Sequence, residues 1–337
     1  AALAAIAIQS NQNDQHGGQS IPNFDYGMAL GVAKTFRKAY TNKLTEGLED
    51  FLDTEDEKDN VTKILADVKE ATGMSPRLET DAEKFDAAVS EQITKKYNIP
   101  QEKAAHLVEV ARRRANRKAD RDTYQAMEGF VHNLNTMHSR AGAQTPFSSI
   151  NYGTDTTPEG RMVIRNILLA TDAGLGHGET CIFPIHVFKV KEGVNYNEGD
   201  PNYDLFKLSC KVSAKRLFPN YIFLDAPFNL QYYKPGRPET EVATMGCRTR
   251  VMGNVYDPSR EISYGRGNLS FTSINLPRLA IEANHDEKVF YQKLDEMREK
   301  LWTDWNGKPV DLGRNKYLYV RVKAQANSGY MTSVPKK

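Results

Sequence analysis

The chain has 337 residues, 39% hydrophobic and 26% charged, with 45 Lys and Arg against 43 Asp and Glu for a formal net charge of +2. A mean hydropathy of −0.60 describes an ordinary globular protein with enough sequence for one large domain or two modest ones, and no global pull toward nucleic acid or membrane. Three widely spaced cysteines, Cys181, Cys210 and Cys247, suggest neither a disulfide framework nor a Cys-x-x-Cys metal site, and fit a reducing, cytoplasmic setting.

In chain order, Ala1-Ala-Leu-Ala-Ala-Ile-Ala-Ile8 is apolar but short, lacks a basic leader and stops at Gln9. It reads as a helix entered partway rather than a membrane span or signal peptide. From about 23 to 138 apolar residues recur at helical spacing. One helix carries Val32, Phe36, Tyr40, Leu44, Leu48 and Leu52; a second carries Val61, Ile64, Leu65 and Val68 between an Asp59-Asn60 cap and Gly73. A third opens at Pro100 with Leu107, Val108 and Ala111, and a fourth carries Tyr124, Met127, Val131, Leu134 and Met137. From 141 to about 280 short β-rich runs alternate with helical ones, a strand over 182–190, a helix over 203–217 and a strand over 221–224, which predicts an α/β sheet or barrel. Helix returns over 286–301 with Val289, Tyr291, Leu294 and Met297 as its main apolar positions. The last stretch breaks the pattern: both tryptophans, Trp302 and Trp305, then Asn306-Gly-Lys-Pro309 and a strand-like run over 317–323.

One thiol stands out. Cys247 lies in Ala243-Thr-Met-Gly-Cys-Arg-Thr-Arg-Val-Met-Gly-Asn254, an apolar approach pinned by Gly246 and followed by a polar turn. Such a thiol can sit at the tip of a loop inside a pocket; the plainer reading is a buried small hydrophobe. Cys181 and Cys210 fall on strand and helix patterns and read as core. Gly174-Leu-Gly-His-Gly-Glu179 fits neither Gly-x-Gly-x-x-Gly nor the P-loop and precedes a strand, so it reads as a tight connection. Arg112-Arg-Arg-Ala-Asn-Arg-Lys-Ala-Asp-Arg121 continues a helical pattern and reads as a solvated face rather than a nucleic-acid patch. His132 and His138 lack the i, i+4 spacing of a helical metal pair, and no metal site is expected.

Several segments taken together resemble one family. They are Gln12-Asn-Asp-Gln-His-Gly-Gly-Gln-Ser20, Tyr124-Gln-Ala-Met-Glu-Gly-Phe-Val-His-Asn-Leu-Asn-Thr-Met-His-Ser-Arg-Ala-Gly-Ala-Gln-Thr-Pro-Phe147, Ala173-Gly-Leu-Gly-His-Gly-Glu179, Gly199-Asp-Pro-Asn-Tyr-Asp204, Lys215-Arg-Leu-Phe-Pro219, Met245-Gly-Cys-Arg248 and Ser273-Ile-Asn-Leu-Pro-Arg278. In this order and spacing they resemble the central region of the large subunit of the oxygen-sensitive, glycyl-radical (class III) ribonucleotide reductases, over about residues 1–300. The resemblance implies an α/β fold: part of a ten-stranded α/β barrel of two antiparallel five-stranded halves, with a helical N-terminal portion and the radical cysteine on a finger loop. On that reading 1–300 is a fragment of the catalytic barrel, helix-rich over 1–140 and α/β over 141–300, and 301–337 is a divergent tail.

The same resemblance makes Cys247 the thiyl-forming residue, because an S–H bond is close in strength to the ribose 3'-C–H bond. It makes Asn268, in Gly265-Arg-Gly-Asn-Leu269, the active-site amide that holds vicinal hydroxyls without supplying a charge; the plainer reading is a turn asparagine. Polar loops at Gln144, Thr145, Ser148, Arg248, Ser273 and Asn275 are candidates for contacting nucleotide or relaying effector identity, and equally fit ordinary loops. The implied partners are ribonucleoside triphosphates, deoxynucleotide or ATP effectors, a radical-SAM activase that holds the iron-sulfur cluster and S-adenosylmethionine, and a second copy in a homodimer; neither membrane nor nucleic acid is expected.

The chain also departs from the pattern. The family's four-cysteine zinc site has no counterpart among three cysteines. Ser328-Gly-Tyr330 matches the glycyl-radical segment only superficially, lacking the Arg-hydrophobic pair before it, so the radical glycine is expected outside this chain rather than at Gly329. A fragment without that glycine is expected to be inactive alone, and the choice between formate and a thiol system as reductant stays open. The alternative is a non-catalytic nucleotide-binding or interaction protein on a decayed reductase barrel.

Overall fold

The computed structural model describes residues 1–14, 17–139, 144–246, 249–253, 259, 261–265 and 274–305, and short strands at 310–311, 317–318, 323–325 and 328–330. Side chains are described through 297, Asp14 excepted. The chain divides into two compact units: Ala1–Ile6, Asn23–Thr136 and Ile150–Asp225 form the first; Ala7–Pro22, Met137–Ser149 and Ala226–Lys337 form the second.

The first unit is built on long helices. Helix α1 (Ala2–Asp14) and strand β1 (Gln19–Ile21) precede α2 (Phe24–Leu52), α3 (Lys58–Thr72), α4 (Ala82–Tyr97) and α5 (Gln101–Thr136). Helix α2 buries Phe36, Tyr40, Leu44 and Leu48 on one stripe, and α5 answers with Ala104, Val108, Ala111, Ala115 and Ala119. Alanines one turn apart let two backbones approach closely. Phe24 meets Phe130 at 5.2 Å between ring centroids and closes one end of this interface.

The predicted third and fourth helices are one, since α5 runs unbroken for 36 residues. No Gly or Pro interrupts the basic middle, and its alanines carry the buried stripe through. Helix α3 begins a turn earlier than expected, with Glu57 rather than Asp59-Asn60 at its N-cap, and ends as expected at Gly73, φ +70°. Glu57 carries the local network, accepting hydrogen bonds from Asn60 and from Tyr97. Helix α4 was not anticipated, although Phe85, Val89 and Ile93 sit four apart and are buried.

The basic run needs a correction at one position. Arg112 is not solvated: its side chain is 13% exposed, pairs with Asp86, donates to the carbonyls of Arg77 and Leu78 at 2.6 and 3.0 Å, and lies 5.5 and 5.3 Å over the Phe36 and Tyr40 rings. Its planar fork suits that combined stacking and bonding, which a lysine could not reproduce. Arg113, Arg114, Arg117, Lys118 and Arg121 are exposed, as expected.

Strand β2 (Ser148–Tyr152), α6 (Pro158–Ala173), β3 (Ile185–Val190), α7 (Tyr203–Arg216) and β4 (Asn220–Phe223) follow. Strands β3 and β4 run parallel, from Val187 opposite Asn220 to Val190 opposite Phe223, with α7 as the crossover. The sheet has four strands in the order β1-β2-β3-β4. The chain is therefore mixed α/β with a helical N-terminal part, as predicted. Helix α6 escaped the sequence reading, yet Thr157-Pro158 announces it: Thr157 Oγ1 accepts the Gly160 N–H at 3.1 Å and the proline takes the first turn.

His186 on β3 is fully buried, its Nδ1 3.1 Å from the Tyr152 hydroxyl and its Nε2 3.3 Å from Thr171 Oγ1. Burial pushes its pKa from 6.5 down to about 3. The unfolded chain takes up a proton near 6.5 and the folded chain does not, so this contribution to stability is complete above pH 6.5. It is lost as pH falls toward about 3, at up to ~1.4 kcal/mol per pH unit. Urea unfolding between pH 7 and 4 should show a shallower slope for His186→Gln than for the parent; equal slopes would contradict the assignment.

The second unit contains the remainder of α1, β1, the 137–149 segment, α8 (Pro227–Leu230), β5 (Ala243–Met245), β6 (Thr249–Val251), α9 (Leu276–Glu282), α10 (Glu287–Trp305) and short strands β7 (Val310–Asp311), β8 (Tyr317–Leu318), β9 (Lys323–Gln325) and β10 (Ser328–Tyr330). Helix α10 runs on through both tryptophans instead of stopping at 301. Of the predicted strand over 317–323 the described ends belong to β8 and β9; residues 319–322 lie outside the described set. Gly329 pairs with Ala324 in the β9–β10 ladder.

Candidate functional site

The thiol segment belongs to an antiparallel hairpin. Ala243, Thr244 and Met245 of β5 pair with Val251, Arg250 and Thr249 of β6. Gly246 takes φ +54°, a left-handed conformation that glycine adopts at no steric cost. Cys247 and Arg248 lie outside the described residues, as do Asn268 and Ser273.

Two other segments of the same unit hold the base of this hairpin. The Ser20 hydroxyl donates to Thr244 O at 2.8 Å, Gln19 N–H donates to Phe147 O at 2.9 Å, and Gly246 N–H donates to Ser149 Oγ at 3.3 Å. At Gly18 the packing leaves no room for a side chain: a Cβ there would stand 2.5 Å from the Phe147 ring and 3.0 Å from Gly246 Cα. A cavity of about 60 Å³ beside the hairpin is lined by Ser20, Thr244, Met245, Val251, Ser263 and Tyr264, and Gly265 borders it. Beyond Gly265 the chain enters the segment that holds Asn268.

The other predicted contact residues scatter. Gln144 is exposed and forms a backbone bridge with Ser139, at 2.7 and 3.4 Å. Thr145 is half-buried; Ser148 is fully buried on β2, and its hydroxyl has no hydrogen-bond partner among the described residues. Asn275 is the N-cap of α9, its Oδ1 accepting Arg278 N–H at 3.0 Å, so its side chain already has a structural task.

The remaining cysteines divide. Cys181 is buried just before β3, and burial pushes its thiol pKa up. Cys210, expected in the core, is exposed: α7 buries Leu205, Ser209, Val212 and Arg216, and Cys210 falls beside that stripe. The glycine-rich 174–179 segment is a tight connection, with Leu175 N–H on Glu179 O at 2.8 Å and Arg216 clasping the carbonyls of Asp172, Ala173 and Gly178. Among the described residues no group of three or more His, Cys, Asp or Glu is placed to hold a metal ion, and no helix is long and apolar enough to cross a membrane.

One buried carboxylate went unnoticed in the sequence. Asp25, 1% exposed, accepts the N–H groups of Gly153, Thr154 and Asp155 on a single oxygen at 2.8, 3.1 and 3.1 Å. Consecutive N–H groups converging this way form an anion-binding nest. Here the protein's own carboxylate fills it, while Asn195 and Asn202 cap the Gly153 carbonyl at 2.9 and 3.1 Å. The end of β2 is thus closed with internal polar groups.

Fold and site define the class: an α/β protein with a short antiparallel β5–β6 hairpin whose base packs closely against Gly18. The sequence profile of the anaerobic ribonucleoside-triphosphate reductase family matches residues 1–305. The chain is similar to the anaerobic ribonucleoside-triphosphate reductase of Escherichia coli K12, 33% identical over 219 residues that make up 64% of this chain and 30% of that protein. It is similar as well to those of Haemophilus influenzae, 35% over 178 residues (52% and 24%), and of Enterobacteria phage T4, 36% over 184 residues (54% and 29%). The chain spans 24% to 30% of the length of these relatives. It belongs to the anaerobic ribonucleoside-triphosphate reductase family.

Proposed function

We propose that this chain supplies the thiol-bearing part of an anaerobic reductase that converts ribonucleoside triphosphates to 2'-deoxyribonucleoside triphosphates. The observation that carries the reading is a family match over residues 1–305, within which Cys247 falls in sequence between the paired strands β5 and β6. As a sulfur radical, Cys247 takes the hydrogen from the ribose 3' carbon; the 2'-hydroxyl then takes up a proton and leaves as water, two electrons and a proton come from formate, which departs as carbon dioxide, or from two thiols, which close to a disulfide, and return of the hydrogen from Cys247 to C3' restores the sulfur radical. Asn268 holds the ribose hydroxyls, donating and accepting with one amide. Polar groups at Gln144, Thr145, Ser148, Arg248 and Ser273 serve nucleotide contact or effector relay; Asn275 contributes only through the α9 terminus that it caps.

A glycyl radical, when present, supplies the oxidising equivalent, and a separate iron-sulfur, S-adenosylmethionine-dependent activase generates it. A four-cysteine zinc site does not fit this chain, which has three cysteines, one buried and one exposed on different segments. We assign 1–300 to part of a ten-stranded barrel of two five-stranded halves, 301–337 to a divergent tail, and the protein to a cytoplasmic homodimer under deoxynucleotide or ATP control.

The complete protein carrying this sequence, incubated without oxygen with its activase, a reductant and a ribonucleoside triphosphate, should form the deoxynucleotide. Nucleotide binding without any product would favour the non-catalytic alternative.

A further inference from the structure

We propose that Gly18 and Ser149 are positioning residues that fix the seat of the Cys247 hairpin, so that the Gly17-Gly18-Gln19-Ser20 segment acts as a clamp on the radical finger. The inference rests on the proposed role of Cys247 and assigns a task to a motif that the chemistry had left unused. Three observations in one unit converge. Gly18 and Gly246 cross so closely that a Cβ on Gly18 would lie 3.0 Å from Gly246 Cα, and backbone cannot yield as a side-chain tip can. The residue before the thiol is tied through its N–H to Ser149 Oγ at 3.3 Å. Two positions further on, Ser20 Oγ holds Thr244 O at 2.8 Å, anchoring the approaching strand. A displacement near 1 Å at a reacting group is enough to cost about 100-fold in rate, and a β-carbon at Gly18, 2.5 Å from the Phe147 ring and 3.0 Å from Gly246 Cα, must push the ring or the hairpin backbone aside.

The test uses the complete protein and two readouts. In Gly18→Ala and in the gentler Ser149→Ala, hydrogen exchange of the peptide covering 243–251 should rise several-fold, while peptides of α2 and α5 keep the parent rate. Turnover should fall about 100-fold for Gly18→Ala and about 10-fold for Ser149→Ala, the equivalent of one lost hydrogen bond, both in kcat with KM unchanged. Gly31→Ala, where a Cβ meets nothing within 4 Å, serves as the control and should change neither readout. Unchanged exchange in 243–251 for both variants overturns the clamp, and so does exchange rising uniformly across the protein. Exchange rising as expected in a protein that proves to reduce no nucleotide would leave the clamp standing and defeat the function instead.

Discussion

Cys247→Ser in the complete, activated protein should lower deoxynucleotide formation by at least ~10⁴-fold, equivalent to about 5.4 kcal/mol in the barrier. The reason is bond strength rather than shape. A serine hydroxyl has nearly the volume of a thiol and suits the same hairpin, but its O–H bond is far stronger than S–H, so an oxygen radical cannot form at the potential that suffices for sulfur. Folding should be unaffected, and the melting temperature of Cys247→Ser should match the parent. The other two thiols provide the comparison. Cys210 is exposed on α7, and Cys210→Ser should keep parent activity. Cys181 is buried, 1% exposed, so its sulfur is closed off from a ribose and offers no substitute radical carrier. Reduction surviving in Cys247→Ser would sink the assignment of the thiol, and with it the reading of the hairpin as a catalytic finger.

Legibility followed the range of the interactions. Helices with a strict apolar stripe and a local stop signal were readable: α2 through Phe36, Tyr40 and Leu44, and the end of α3 through Gly73. Helix α5 was split in two because alanines at Ala111, Ala115 and Ala119 are weakly hydrophobic, although they are what permits close packing. The β1 and β5–β6 strands are three residues each, too short for an alternation pattern to stand out from a loop. At the site, the turn ahead of Cys247 is legible from Gly246, which takes φ +54°. What the sequence could not show was the partner of that loop: Gly18 and Ser149 are far from Gly246 in the chain, and nothing local in a Gly-Gly pair or a Ser-Ser pair says which backbone it will meet. Asn275 was ambiguous for the opposite reason. A polar residue before Leu-Pro is as good a helix cap as a ligand contact, and its Oδ1 is used as the cap.

Asp25→Ala should destabilise the protein by about 3–5 kcal/mol, a large part of the 5–15 kcal/mol typical of a folded protein. Read locally, Asp25 is an acid in the first turn of α2, worth a few tenths of a kcal/mol to about 1 kcal/mol through the helix dipole. The structure changes the size of the effect, because one of its oxygens accepts three consecutive N–H groups at the end of β2, 128 to 130 residues away. Removing the carboxylate leaves those donors buried without an acceptor, each costing roughly 1–3 kcal/mol before relaxation. The neighbourhood cannot relax freely: Gly153 sits at φ +127° with Lys189 O 2.9 Å from where its Cβ would be, and any Cβ at Gly160 would strike the Asp155 side chain. Asp25→Asn keeps one acceptor oxygen in the nest and should cost clearly less than alanine. Urea denaturation at neutral pH, followed by far-ultraviolet circular dichroism, reads both variants. A loss under ~1 kcal/mol for alanine would mean that the three N–H groups find other partners, and that Asp25 acts as a first-turn acid and no more.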